Sequence, residues 1–214
     1  MCARGRPESA PFPDRTRVNP GMRKKEKQEA IYEAALRVFA RYGFRKTTVE
    51  DIARELGMTK GNLYLYARDK RELYEKTVEY ALLRWQARVR EAVALEKDAR
   101  SMFMTMCNKA VEYLAMDEDF RRVLVHDPEI FPMFPVRDPY ERINRNSMGM
   151  IRFILSRGMA DGSFRKVNLR TTPNAIFSIY KMFIIRMYIR PEGKEMRKVF
   201  DETLGLLTRG LYTD

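Results

Sequence analysis

Residues Thr47 to Lys70, TTVEDIARELGMTKGNLYLYARDK, read as two short helices held across a tight turn, and this reading sets the fold of the chain. Thr47 and Thr48 each stand three residues before an acid, Glu50 and Asp51, so either threonine suits an N-cap with a reciprocal carboxylate behind it. Val49, Ile52, Ala53 and Leu56 then recur at helical spacing and give one apolar face. Gly57 is placed to end that helix in a left-handed conformation that glycine alone adopts cheaply. Small Ala53 permits a close crossing. Thr59 caps a second helix, and Leu63 turns inward from it. A small residue, a glycine four positions on and an apolar residue ten positions on form the steric pattern of a helix-turn-helix.

The outer face of the second helix then holds Thr59, Lys60, Gly61, Asn62, Tyr64 and Tyr66. Lys60 adds a cation where backbone amides already attract phosphate, and Gly61 allows close approach. Asn62 is suited to a base edge, adenine above all, while the tyrosines suit phosphates or a thymine methyl group. Asp69 with Glu72 reads as the cap of a following helix, with Lys70 in its first turn directed at the DNA backbone. A polar, basic outer face beside an apolar inner one favours DNA reading over a helical hairpin buried in its own domain.

Residues Glu26 to about Val78 resemble the DNA-binding domain of the TetR (tetracycline-repressor-like) family of bacterial transcriptional regulators. The resemblance lies in Ile31-Tyr-Glu-Ala-Ala-Leu-Arg-Val-Phe39 with Tyr42-Gly43-Phe44, in Thr47-Thr48-Val49 with Asp51-Ile52-Ala53, and in Lys60-Gly61-Asn62-Leu63-Tyr64 with Tyr66 and Lys70. It covers about a quarter of the chain. Ala67 stands where the family usually has phenylalanine, and Leu65-Tyr66 replace a common Tyr-His or His-Tyr pair. The first departure loosens the packing under the reading helix; the second leaves the operator preference open. The resemblance implies a double-stranded DNA operator as partner, carried by Thr47, Thr48, Thr59, Lys60, Gly61, Asn62, Tyr64, Tyr66 and Lys70.

Outside this stretch the chain reads as all-α. Ile31, Ala35, Val38, Phe39 and Tyr42 make a stripe that packs the first helix over the reading unit. A long helix is expected from Lys70 to Leu95, with Leu73, Thr77, Ala81, Trp85 and Val89 on one face. Further helices are expected near Ala99–Ala115, Glu118–Val125, Pro139–Gly158, Pro173–Ile189 and Glu192–Leu211. The organisation expected is a basic, Pro-rich disordered tail (1–21), a three-helix DNA-binding domain (22–76) and a helical effector-binding and dimerisation domain (77–214). Arg4, Arg6, Arg15, Arg17, Arg23, Lys24, Lys25 and Lys27 make the N-terminal part strongly cationic, and the whole chain carries a net charge of +12, which suits a polyanion partner. The tail reads as solvated.

The second part is unusual in methionine: 11 of the 14 lie beyond residue 99, among aromatic residues. Methionine adapts to irregular shapes, so this composition fits a pocket for apolar ligands as well as a loosely specified core. The family resemblance implies a small-molecule effector, and the candidate lining is Trp85, Phe103, Met106, Met148, Arg152, Phe177 and Lys181; Arg152, Lys181 and Arg186 read equally as partners of an acidic head group and as cations that snorkel to the surface or pair with an acid. The segment His126 to Pro139, HDPEIFPMFPVRDP, has too many prolines for a helix; its Phe131, Met133, Phe134 and Val136 read either as a core plug or as the mouth of a cavity. The last two helices are the expected homodimer interface: Pro173–Ile189 is apolar nearly all round, and Met196, Val199, Phe200, Thr203, Leu204, Leu207 and Leu211 form a wide stripe on the final helix.

Other functional classes find little support. His126 is the one histidine, beside Asp127 in a proline loop, and reads as structural. No Cys/His spacing suggests zinc and no Gly-rich loop follows a strand, so neither metal nor cofactor is expected. Cys2 and Cys107 are too few for a disulfide framework, no apolar run is long enough to span a bilayer, and no secretory signal is evident; a cytoplasmic setting is expected. The expected function is a ligand-responsive repressor. Two alternatives are a basic helical protein on anionic membrane or an acidic partner, and an enzyme acting on an apolar substrate.

Overall fold

The computed structural model describes residues 23–130, 138–189 and 195–213. Within them, nine α-helices follow one another: α1 (Lys24–Lys46), α2 (Val49–Glu55), α3 (Lys60–Leu63), α4 (Lys70–Ala94), α5 (Ala99–Met116), α6 (Glu118–His126), α7 (Glu141–Ala160), α8 (Thr172–Ile184) and α9 (Glu195–Leu211). A single turn of π-helix, Ile185–Ile189, continues α8. The only β-type pairing among the described residues is an isolated bridge between Phe164 and Tyr212.

Local sequence explains most helix ends. Thr48, not Thr47, caps α2: its hydroxyl accepts from the Asp51 amide at 3.2 Å while the Asp51 carboxylate accepts from the Thr48 amide at 2.9 Å. At the far end Gly57 has φ 65°, and the Gly57 and Met58 amides donate back to the Arg54 and Ala53 carbonyls, closing the helix with a left-handed glycine. Asp69 caps α4 by accepting from the Glu72 amide at 2.8 Å. The Glu72 carboxylate accepts in return from the Arg68 amide at 2.6 Å.

The N-terminal helices wrap a continuous core. Ile31, Ala35, Val38 and Phe39 of α1 are buried against Ile52, Leu56, Leu63 and Leu73. Tyr42 does not complete that stripe and is 47% exposed; beyond it Gly43, at φ 72°, turns the chain out of helical geometry, and Phe44 packs on the core instead. The expected face of α4, namely Leu73, Thr77, Ala81, Trp85 and Val89, is buried throughout. The expected domain boundary between residues 76 and 77 falls inside α4, which is continuous across it. α4 packs on α1 and also carries α5 and α7.

α6 docks on α1. His126 Nε2 lies 3.2 Å from the Ala40 carbonyl oxygen, and the ring closes over Gly43, where an added Cβ would meet His126 Cγ at 3.6 Å. The Tyr74 hydroxyl donates to Asp127 at 2.8 Å, and Arg84 bridges Glu33 of α1 to Asp117 before α6. The lone histidine therefore joins two helices. Of the proline-rich segment, Pro128–Ile130 forms one 3-10 turn with Ile130 buried, whereas Phe131, Met133, Phe134 and Val136 lie outside the described residues, as does the expected tail.

At the other end of the molecule, the Phe164 and Tyr212 rings stack at 5.2 Å, with Phe103 edge-on to both. In α9, Met196, Phe200, Leu204 and Leu211 face inward, with the Phe200 and Phe183 rings 5.2 Å apart. Val199 and Leu206 point outward.

Candidate functional site

The reading face is built around α3. Leu63 is buried and anchors the helix, whereas Thr59, Lys60, Gly61, Asn62 and Tyr64 are exposed. Thr59 Oγ1 accepts from the Asn62 amide at 3.3 Å, which fixes the start of the helix. The Asn62 side-chain amide makes no hydrogen bond among the described residues and is free for a base edge. An added Cβ at Gly61 would meet only Thr59 Oγ1, at 4.0 Å, so the face is open there. The Lys60 ammonium hydrogen-bonds the Glu50 carboxylate of α2 and lies 5.8 Å from the centre of the Tyr64 ring. This hydrogen bond holds the Glu50 carboxyl below, and the lysine above, its usual range.

Three expected members of this face have other roles. Thr47 is 1% exposed, and its hydroxyl donates to the Gly43 carbonyl at 2.8 Å, so it closes α1. Tyr66 is half-buried and packs on the core; its carbonyl accepts from Lys76 at 2.8 Å. Lys70 points back into the protein, donating to the carbonyls of Phe44 at 2.9 Å, Thr47 at 3.0 Å and Arg45 at 3.4 Å, 4.6 Å over the Phe44 ring. Its three N–H groups are thus committed to the end of α1. Thr48 stays at the surface, with its hydroxyl donating to Asp51.

Leu65, noted in the sequence only as a departure from the family's usual pair, is 80% exposed at the end of the reading helix, where an apolar side chain suits a thymine methyl group. A groove lined by Lys24, Lys27, Gln28, Leu65, Tyr66 and Lys76 runs beside it. It joins the start of α1 to that of α4, and so has no linear signature. Ala67, at the position of the family's phenylalanine, is buried.

The second feature is an apolar cavity of about 60 Å³ between α4, α5, α7 and α8. Its wall is Leu82, Trp85, Gln86 and Val89 from α4, Met106, Cys107 and Ala110 from α5, Ile143, Asn144, Ser147, Met150 and Ile151 from α7, and Ile176, Phe177, Tyr180 and Lys181 from α8. Four of the seven expected lining residues are here: Trp85, Met106, Phe177 and Lys181. Phe103 lies instead in the aromatic cluster with Phe164 and Tyr212. Met148 lies off the lining face of α7, and Arg152 is exposed, its Nε donating to the Leu169 carbonyl at 3.1 Å. The polar members Gln86, Asn144, Ser147 and Tyr180 were missed; Gln86 alone had a signal, since 82, 85, 86 and 89 share one helical face.

Chemically the cavity suits binding. Trp85 Nε1 donates to the Ala110 carbonyl at 2.9 Å, and the Lys181 ammonium lies 5.9 Å from the centre of the Phe177 ring. Burial pushes the Cys107 thiol up to about 12, which keeps it protonated and inert. Among the described residues no cluster of three His, Cys, Asp or Glu is placed to hold a metal ion, and no helix is long and apolar enough to cross a membrane.

Comparison with known proteins finds a match over the same segment. Residues 31–77 match the model of the bacterial regulatory proteins, tetR family. An uncharacterized HTH-type transcriptional regulator, YerO of Bacillus subtilis, is 42% identical over 55 residues, which are 26% of this chain and only 19% of that protein. The HTH-type transcriptional repressor KstR2 of Mycolicibacterium smegmatis is 28% identical over 145 residues, 65% of this chain and 68% of that one. The crystal structure of the regulator FadR from Bacillus subtilis, in complex with stearoyl-CoA, has the same fold, with a TM-score of 0.69 at 19% identity over 85% of this chain and 98% of that chain.

Proposed function

Because residues 31–77 match the model of the bacterial regulatory proteins, tetR family, we propose that the chain is a TetR-family repressor that binds a near-palindromic operator as a homodimer and leaves it when a small, largely apolar effector occupies the α4–α5–α7–α8 cavity. The observation that carries this reading is the division of α3: Leu63 is buried, while Asn62, Tyr64 and the adjoining Leu65 are presented outward. A second copy supplies the second reading helix, one DNA turn or ~34–36 Å away. Val199 and Leu206 on α9 and the half-buried Phe177 and Ile179 on α8 supply apolar surface for pairing two copies.

The effector assignment rests on the cavity wall and on the relative with the same fold that holds stearoyl-CoA. Lys181 at this cavity has no acidic partner among the described residues and suits an acidic head group. A cavity of about 60 Å³ has room for a few water-sized molecules, so a longer ligand enters only by moving the helices around it.

A gel shift of the purified protein on its own upstream DNA tests the reading. Binding to a two-fold-symmetric site is expected, and Asn62→Ala is expected to relax preference at one base pair per half-site by ~1–3 kcal/mol. Equal affinity for unrelated DNA and for anionic vesicles would overturn it in favour of a general polyanion binder.

A further inference from the structure

The cavity holds a polar mismatch that its own walls do not resolve. Gln86 is buried, and its side-chain Nε2 donates to the Ile143 carbonyl at 2.7 Å and to Ser147 Oγ at 2.6 Å. A carbonyl oxygen only accepts, so the reverse amide orientation would set oxygen against oxygen. The orientation is therefore fixed. It leaves Gln86 Oε1, a full acceptor, buried with no hydrogen-bond partner. The Tyr180 hydroxyl is a second such atom, also buried and unpartnered, on a ring stacked against Trp85 at 6.2 Å. Both residues line the cavity. Buried groups left in this state are costly, and a ligand that satisfies them recovers that cost as affinity.

We propose that the effector carries an alcohol hydroxyl within its apolar body, donating to Gln86 Oε1 and paired with the Tyr180 hydroxyl. The proposal rests on the reading of this cavity as the effector site. An acceptor needs a donor, which excludes a ketone, an ester or an ionised acid at this point. An ammonium group would enter an apolar wall as an unpaired charge. An alcohol hydroxyl is neutral, donates to Gln86 Oε1, and pairs in either direction with a phenol hydroxyl. Gln86 also ties α4 to α7 through Ile143 and Ser147, so a ligand held at Oε1 acts on the joint between these helices.

The chain has one tryptophan, Trp85, and it lines the cavity, so its emission reports occupancy of the intact protein. The probes are octadecanoic acid and its 3-, 10- and 12-hydroxy derivatives, titrated below their aggregation concentrations. At least one hydroxy acid is expected to bind roughly tenfold more tightly than the parent, equivalent to about 1.4 kcal/mol. In Tyr180→Phe and Gln86→Leu this preference is expected to shrink to within about twofold, with parent-acid affinity kept or improved. Tyr180→Phe removes only the hydroxyl, and so serves if Gln86→Leu does not fold. Equal affinity for all four acids, or a preference that survives both substitutions, would overturn the hydroxyl assignment and leave the effector site standing. No response of Trp85 to any of the acids, in protein that still binds its upstream DNA, would overturn the effector reading as well.

Discussion

Replacing Lys70 by methionine separates two roles that a cation beside a reading helix can have. The substitution keeps the apolar stem and removes the ammonium, which donates to the Phe44 and Thr47 carbonyls at 2.9 and 3.0 Å, more weakly to Arg45, and sits over the Phe44 ring. Hydrogen bonds to a charged donor contribute about 1.5–3 kcal/mol each. The Arg45 carbonyl is at the surface and recovers water, the other two only in part, so the net loss is set at about 2–3 kcal/mol for the whole clamp. For a chain of this length that lowers Tm by roughly 4–12 °C. DNA affinity falls because the end of α1 is no longer fixed against α4. The slope of log K against log salt stays as in the parent, since no phosphate contact is removed. Thermal melts with a salt series of fluorescence-anisotropy titrations read both quantities. A variant of unchanged Tm whose salt slope is shallower by about 0.9, the signature of one lost phosphate contact, would refute the clamp.

Glu50→Gln frees Lys60 from its carboxylate, so the same salt series is expected to show a slope steeper by about 0.9 and tighter binding at low salt; an unchanged slope would mean that Lys60 does not reach a phosphate. Gly158→Ala places a Cβ 2.3 Å from Phe164, whose ring cannot retreat from its stack on Tyr212, and is expected to cost about 1–3 kcal/mol in a denaturant melt, partly restored by Phe164→Leu. The Glu72 carboxyl is pushed down to about 2, first by the Arg68 amide it accepts from. A depressed folded-state value means that its stabilisation is complete above the ordinary carboxylate range and is lost as pH falls toward about 2. Glu72→Gln is therefore expected to lower Tm at neutral pH and to flatten its decline in acid, and parallel Tm–pH curves would count against the cap.

The reading unit was legible because its determinants are local. Thr48 and Asp51 are three residues apart, Gly57 closes the helix it follows, and Leu63 is buried as its spacing demands. What sequence could not show were partners far along the chain. Lys70 finds its acceptors 23 to 26 residues back, at carbonyls that carry no residue signature. The cavity failed in the same manner. Periodicity gave the face of α4 that holds Trp85, whereas α8 reads as apolar nearly all round, and four helices decide which residues meet. Phe103 fell into a different cluster because the C-terminal residues return to cover it through Tyr212.

The geometry of α4 bears on how the two sites communicate. It lines the cavity with Trp85 and Gln86 and, about 24 Å nearer its start, fixes the reading unit through Lys70. α6 touches α1 but contributes nothing to the cavity wall. A ligand that shifts α4 against α7 therefore works against a head also held by α6, through His126 to Ala40 and the packing of α6 on α1. These contacts allow two outcomes: the head follows α4 and breaks them, or it stays on α6 and α4 slides beneath it. In the first case the separation of the reading helices in a dimer changes, and a coupling of ~1–3 kcal/mol suffices for a roughly 5–150-fold loss of operator affinity. In the second, Lys70 pulls on the end of α1, and the distortion falls on Thr47 and the start of α2. Both outcomes use polar contacts that are few and nameable. On the proposed reading, the joints of α4 are where effector binding and operator affinity are coupled.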